Sequence, residues 1–320
     1  MSRSKILVIV GPTASGKTEW AIKLARKFKG EIINADSRQI YKAMNIGTAK
    51  PLDPPGRGPI RKADLGPKTQ EEYFYKGVRH YLIDLLKPTK DFNVAKYKRL
   101  AIKTIRAILK RKKLPILVGG TGLYIKAVID NLKIPPTQPQ PKLRQQLEKQ
   151  LRQKGLKSLY EKLIRLDPEA AYIVDPNNPR RIIRALEITL TTKKPFSTQR
   201  KGGQKLFDTL ELGINNSKER LFQKIEQRVD KMMQNGLFEE VKILVKKYGP
   251  NCLAFDAIGY RELIEYLNNK TTLKKAVELI KKNTRQYARR QMTWFKKDKK
   301  IHWVKSVKEA IKLTEVFLEN

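Results

Sequence analysis

Cysteine and histidine are nearly absent: Cys252 is the only cysteine, and His80 and His302 are the only histidines, in 320 residues. One thiol excludes a disulfide framework and any structural zinc site built on cysteines. Two histidines are too few for a histidine-built metal centre. No apolar run approaches the length of a membrane span. The first apolar run begins by Ile6, which leaves no room ahead of it for a secretory or transit peptide. A cytoplasmic protein with no membrane partner is the expectation. Acidic residues are scarce as well, with 31 Asp and Glu against 69 Lys and Arg and a formal charge of +38. Such a surplus suits a polyanion, because a basic surface releases the counterions condensed on phosphate. A lysine-rich genome or a heat-adapted surface is the alternative, although heat-adapted surfaces usually mix both signs.

What is present begins with Gly11-Pro12-Thr13-Ala14-Ser15-Gly16-Lys17-Thr18, a full match to the G-x-x-x-x-G-K-[ST] phosphate loop. It stands between an apolar run, Ile6 to Val10, and a helical pattern carrying Trp20, Ile22, Leu24 and Phe28, which is the order the motif requires. In such a loop successive N–H groups and a helix N-terminus converge on an oxyanion. Gly11, Thr13, Ala14, Ser15, Gly16, Lys17 and Thr18 are therefore the expected phosphate-binding set. Lys17 adds a point charge, and the Thr18 hydroxyl is placed to ligate Mg2+, the one cofactor expected. The loop alone does not say which phosphate it holds.

Glu31 to Ala35 reads as a second strand and ends at Asp36. In open parallel sheets the strand carboxyl ends line the ligand crevice, so Asp36 should share a rim with the loop. Its role is either chemistry or the capping of a helix directly after it. Pro51 to Tyr75 is rich in Pro, Gly and charge and reads as a long loop. A strand from His80 to Leu86 and a helix from Asn93 to Lys112 come next, the helix with Val94, Tyr97, Ala101, Ile105 and Ile108 on one face. Ile116 to Val118 is a buried strand that runs into Gly119-Gly120-Thr121-Gly122, a second glycine turn. The alternation predicts an α/β fold, a doubly wound parallel sheet around the phosphate loop.

The period then changes. Pro135, Pro136, Pro139 and Pro141 interrupt the chain, and Leu143 to Thr192 reads as helical with Leu147, Leu151, Leu159 and Leu163 as a core stripe. We expect residues 1–134 and 201–320 to form the core, the latter ending in helices, and residues 135–200 an inserted all-helical domain. Arg180, Arg181 and Arg184 start a helix after Pro179, where positive charge opposes the helix dipole unless an anion is bound. Thr209 to Ile214 restores a strand, and helices run from there to the end, beginning with Ser217 to Gln234. Residues 284 to 296 interleave Arg285, Arg289 and Arg290 with Tyr287, Trp294 and Phe295, a pattern suited to RNA or to an amphipathic helix burying its rings.

With these pieces together the chain resembles the tRNA dimethylallyltransferase family, the bacterial tRNA isopentenyltransferases. The matching stretches are Gly11 to Thr18, Ile33 to Tyr41 (INADSRQIY), Gly47 to Pro51 (GTAKP), His80 to Asp84, Gly119 to Tyr124 (GGTGLY), Asn178 to Ile188, Arg228 to Val241, Gly259 to Arg261 and Thr284 to Lys296. The resemblance implies transfer of a dimethylallyl group from dimethylallyl diphosphate to N6 of the adenine just 3′ of a tRNA anticodon (adenosine-37). It further implies Asp36 as general base, Thr121 orienting the base, and Arg228 as a cation on the leaving pyrophosphate. Ser37, Arg38, Gln39, Arg180, Arg181, Arg184, Tyr260, Arg261, Arg289, Arg290 and Gln291 become expected contacts to the anticodon stem-loop of tRNA. A monomer is expected. Arg180 departs from the family's usual Gln, Lys224 from a common Arg, and the loop after Pro51 is longer than in many members. With one cysteine the zinc finger of eukaryotic relatives is excluded.

The rival reading is a nucleoside or small-molecule kinase on the same loop, with Asp84 as a second Mg2+ ligand and Asp36 as base toward a hydroxyl. A third is an RNA-binding, ATPase-like module that only clamps RNA. The charge surplus and the basic, aromatic segment near the C-terminus favour RNA.

Overall fold

The structure is a computed structural model that describes residues 3–52, 73–134, 140–200 and 202–320. In chain order its elements are β1 (Lys5–Val10), α1 (Lys17–Lys27), β2 (Gly30–Asn34), β3 (Tyr73–Tyr75), β4 (Val78–Tyr81), α2 (Val94–Lys110), β5 (Leu114–Gly119), α3 (Gly122–Ile129), α4 (Pro141–Leu166), α5 (Pro179–Thr192), β6 (Asp208–Ile214), α6 (Lys218–Gln234), α7 (Leu237–Tyr248), α8 (Tyr260–Leu267), α9 (Leu273–Lys296), β7 (His302–Val304) and α10 (Val307–Glu319). The chain divides into two compact units, Met1–Ile129 with Leu206–Asn320, and Asp130–Lys205.

The first unit is built on a seven-stranded sheet ordered β3-β4-β2-β5-β1-β6-β7, in which only the β3–β4 pair is antiparallel. The inner strands are continuous apolar runs because a parallel sheet is covered on both faces. Alternation sends Ile6, Val8 and Val10 to one face with Ile33 and Leu117, against Tyr97, Ile105, Tyr124 and Val128 of α2 and α3. It sends Leu7 and Ile9 to the other with Ile32 and Ile116, against Ile22 and Leu24 of α1 and Ala310 of α10. Val10 lies opposite Gly119 and Asn34 opposite Val118, so β1, β2 and β5 finish level. Their following loops open on one rim, where sheets of this kind take ligands. A separate cluster, with Val229 of α6, Val241 of α7, Leu263 of α8 and Ile280 of α9, packs around Tyr41 and Met44 from the segment after β2.

The second unit is helical. Asn178 caps α5 by accepting from Arg181 N–H at 3.1 Å, and Pro179 occupies the first turn, where its missing N–H costs nothing. Leu147, Leu159 and Leu163 of α4 pack on Ile182 and Leu186 of α5. Glu187 is buried among them. Burial alone would raise its pKa, but the Gln140 amide at 2.8 Å, Arg184 at 2.7 Å and Arg144 at 2.8 Å hold it below the usual carboxylate range.

Several expectations differ from what is observed. Between Leu143 and Thr192 the helix expected to restart at Pro179 does so as α5, but the stretch before it is less regular than expected: Gly155 (φ 76°, ψ 170°) kinks α4, and non-helical chain follows Leu166 apart from a short 3-10 turn at Pro168–Tyr172. Of the loop expected from Pro51 to Tyr75, residues 53–72 lie outside the described residues, and Tyr73–Tyr75 is strand β3. Pro135, Pro136 and Pro139 also lie outside them, while Pro141 is the first residue of α4. The strand expected from His80 to Leu86 ends at Tyr81, because Leu82 (φ 62°) and Asp84 (φ 54°) turn the backbone out of line. Helices do not run unbroken to the end, since β7 adds an edge strand beside β6. Among the described residues no helix is long and apolar enough to cross a membrane.

Candidate active site

The glycine turn between β1 and α1 forms the floor of the site. Gly16 caps α1 at φ 93°, and nothing lies within 4 Å of where a Cβ would be, so glycine is required there by backbone conformation. An α-helix leaves its first N–H groups without internal partners, and those of Lys17 and Thr18 head α1 in this way. Ser15 Oγ is buried with no hydrogen-bond partner among the described residues. Lys17 Nζ donates to Pro12 O at 2.6 Å. Burial pushes the Lys17 ammonium down to about 7, the Arg228 guanidinium adds to that, and Asp36 partly offsets both. Arg228 comes from α6 and donates to Thr13 Oγ1 at 3.4 Å; burial pulls its pKa down while Asp36 supports its charge. Three charged groups from distant parts of the chain thus face each other.

Asp36 follows β2 on the level rim. Its Oδ1 accepts from Arg38 N–H at 2.8 Å, a turn-capping bond that also fixes the carboxylate's direction. Thr121, from the second glycine turn, accepts from Ser37 N–H at 3.1 Å and is hydrogen-bonded to Tyr287, whose phenol is held protonated first by burial and then by Asp36.

Two cavities meet here. The smaller, about 160 Å³, is lined by Thr13, Ala14, Gly16, Lys17 and Thr18. The larger, about 520 Å³, is lined by Ser37, Arg38, Arg261 and Arg290 together with Tyr287 and Asn283. Thr13, Asp36, Thr48 and Arg228 line both. The site therefore joins an anion-sized pocket to a wider basic cleft across one carboxylate and one guanidinium.

The remaining expected residues fall into three groups. Arg289 lies with its guanidinium 5.2 Å from the Phe222 ring, and Arg290 5.9 Å from that of Tyr287. In the second unit Arg180 and Arg181 are exposed, whereas Arg184 holds Glu187. Three expected RNA contacts are instead turned inward. Tyr260 is fully buried and donates to Glu240 at 2.6 Å. Gln39 donates to the Thr48 and Ala49 carbonyls at 3.0 and 3.1 Å. Gln291 is buried, with both ends of its amide bonded to backbone. Tyr260 and Gln291 are buried polar groups that need protein partners and have them, whereas Gln39 is half-buried and also lines the small cavity.

Sequence reasoning missed Glu240. Its carboxylate accepts from Asn45 N–H at 2.9 Å, Ile46 N–H at 2.8 Å and Gly47 N–H at 3.1 Å, besides Tyr260, and so shapes the GTAKP loop that presents Thr48. A side chain on Gly47 would run into the Tyr260 ring, which accounts for that glycine. Lys50 in the same loop is buried against Asp84. Asp84 is thereby neutralised, and it lines neither cavity of the site, contrary to the kinase alternative.

A family model described as IPP transferase matches residues 61–298, and one described as Isopentenyl transferase matches residues 4–58. The tRNA dimethylallyltransferase of Acetivibrio thermocellus is 43% identical over 303 residues, covering 93% of this chain and 91% of its own. That of Carboxydothermus hydrogenoformans is 42% identical over 315 residues, covering 97% and 95%. Among solved structures, the tRNA isopentenylpyrophosphate transferase of Bacillus halodurans superposes with a TM-score of 0.68 at 35% identity, covering 99% of this chain and 96% of that one. A eukaryotic dimethylallyltransferase described as acting on tRNA gives 0.67 at 30% identity, covering 91% and 69%.

Proposed function

The chain belongs to the tRNA dimethylallyltransferase family, and on that premise we propose that it transfers a dimethylallyl group from dimethylallyl diphosphate to N6 of the adenine just 3′ of a tRNA anticodon, releasing pyrophosphate. The observation that carries this reading is the wall common to both cavities, Thr13, Asp36, Thr48 and Arg228. A diphosphate over the glycine turn and a base in the wider cleft would meet beside Asp36. The turn offers backbone donors and a lysine, which recognise diphosphate oxygens and no nucleobase, so an allylic diphosphate serves as well as a nucleotide.

In the reaction the bond from the allylic carbon to the diphosphate oxygen breaks and a bond to N6 forms. The N6 lone pair is delocalised into the adenine ring, so removing its proton helps as the new bond forms; Asp36 takes that proton. Lys17, Arg228 and the N–H groups at the start of α1 stabilise the charge that grows on the departing pyrophosphate. Thr121, fixed by Ser37 N–H, orients the base. The adenine has to leave the anticodon stack to reach Asp36, and the cleft lined by Arg38, Arg261 and Arg290 suits a base extruded with its phosphates. Exposed Arg180 and Arg181 suit further contacts to the RNA.

The donor set suits Mg2+. Thr18 lines the small cavity and brings a hard hydroxyl oxygen, and among the described residues no cluster of three His, Cys, Asp or Glu offers a full cage. Mg2+ commonly takes one or two protein oxygens and completes its shell with phosphate and water. When bound, it neutralises charge on the diphosphate.

The test is incubation of the chain with unmodified tRNA, Mg2+ and either dimethylallyl diphosphate or ATP, followed by digestion to nucleosides. Isopentenyladenosine formed with the allylic donor supports the reading. Consumption of ATP with no modified nucleoside in either reaction would return the site to a kinase or an RNA clamp.

A further inference from the structure

Gln291 lies on the buried stripe of α9 with Ala288 and Phe295. Its Oε1 accepts from Thr13 N–H at 2.8 Å, and its Nε2 donates to Gly120 O at 2.8 Å. One side chain thereby joins α9 to both glycine turns. The orientation of the amide is forced, because the flipped amide would set NH2 against N–H and oxygen against oxygen. Only an amide satisfies both neighbours: a hydrocarbon bonds neither, and a carboxylate has no donor for the Gly120 carbonyl. Gly120 is bound to the same arrangement, since a Cβ there would fall on Gln291 Nε2. Thr13, whose N–H Gln291 holds, is also the residue whose hydroxyl takes the Arg228 guanidinium. Its N–H is committed to protein, which leaves phosphate contacts to the part of the turn that runs into α1.

We propose that Gln291 is a positioning residue for the diphosphate pocket: it fixes Thr13, and through Thr13 the Arg228 guanidinium, against the second glycine turn, and it does not read RNA. This rests on the transferase reading above. Its consequence is a split between substrates, because loosening Thr13 disturbs Arg228 and the small cavity, while Arg38, Arg261 and Arg290, which line the wider cleft alone, stay in place.

The experiment titrates the full chain and its Q291M and Q291E variants with inorganic pyrophosphate and Mg2+ by calorimetry, and measures KM for dimethylallyl diphosphate and for tRNA. Q291M should weaken pyrophosphate binding and raise KM for the allylic donor by about tenfold to a hundredfold, as expected for two lost buried hydrogen bonds. KM for tRNA should stay within about twofold. Q291E should fall further, since it turns a carboxylate oxygen on the Gly120 carbonyl. G120A, which pushes on the amide from the other side, carries the same expectation if Q291M does not fold. A raised KM for tRNA with unchanged pyrophosphate affinity overturns the proposal and makes Gln291 an RNA contact. Equal loss toward both substrates with a lowered melting temperature overturns it in favour of plain packing. If the unsubstituted chain fails to bind pyrophosphate, the transferase reading itself falls.

Discussion

Gly11 to Thr18 and Gly119 to Gly122 both carry the chain from a buried strand into a helix, β1 into α1 and β5 into α3, side by side on one rim. Their glycines answer different needs. In the first turn Gly16 adopts a left-handed backbone with open space where a side chain would be. In the second, none of the three glycines has a positive φ, yet each would collide: Gly119 with the Ala35 carbonyl, Gly120 with Gln291, Gly122 with the Trp294 indole. Gly16 is required by its backbone angle, whereas the glycines of the second turn are required by the protein atoms beside them. The same strand–glycine–helix pattern therefore arises from two causes, a left-handed backbone in one turn and close packing in the other. Here α9 occupies the second with Gln291 and Trp294, one helical turn apart.

That contrast is sharpest if substitutions in the first turn remove activity and those in the second remove stability. The largest effect belongs to Lys17→Met. Losing a cation aimed at developing charge should lower kcat/KM by about 10²- to 10³-fold. The melting temperature should not fall, because the substitution takes a desolvated ammonium out of a site that pushes its pKa down to about 7. A drop in melting temperature matching the loss of rate would make Lys17 structural and erase the distinction.

Gly119→Ala is the counterpart. The obstacle is the backbone carbonyl of Ala35, whose residue is itself bonded to Val118 and Thr121 and has no rotamer to change. Overpacking against fixed backbone costs about 3 kcal/mol. Denaturant titration should show that loss, with the activity of the remaining folded fraction reduced far less. Gly16→Ala should cost less, about 1–2 kcal/mol, the penalty of a left-handed backbone alone, since there is room for the methyl group. A larger cost would mean that the first turn is packed as well.

Much of this was legible in the sequence, and what was not has physical causes. The inner strands and the first turn were legible because a sheet buried on both faces demands unbroken apolar runs and an anion loop demands fixed glycines. Strands β3 and β7, three residues each, are too short to carry a period. The kink of α4 turns on the single Gly155, and periodicity tolerates an isolated glycine. Among site residues, Asp36, Thr121, Lys17 and Arg228 come together as expected, while Gln39, Tyr260 and Gln291 face inward. For Gln291 a signal existed, because it stands at helical spacing with Ala288 and Phe295, both buried. For Glu240 there was none: its partners are backbone N–H groups of residues 45–47, and backbone leaves no mark in a pattern of side chains.

The smallest effect tests the comparison from within the second turn. At Gly122 the obstacle is the edge of the Trp294 indole, the far end of a partly buried side chain that can shift. Gly122→Ala should therefore cost about 1 kcal/mol, at the low end of overpacking. Displacing the indole changes its surroundings, so a change in tryptophan emission should accompany that small loss. Gly119 and Gly122 would then differ by the mobility of what each one faces, backbone against side chain. Equal costs at the two positions would show that α9 is held as rigidly as the sheet, and that its fit over the second turn is part of the same packed unit as β2 and β5.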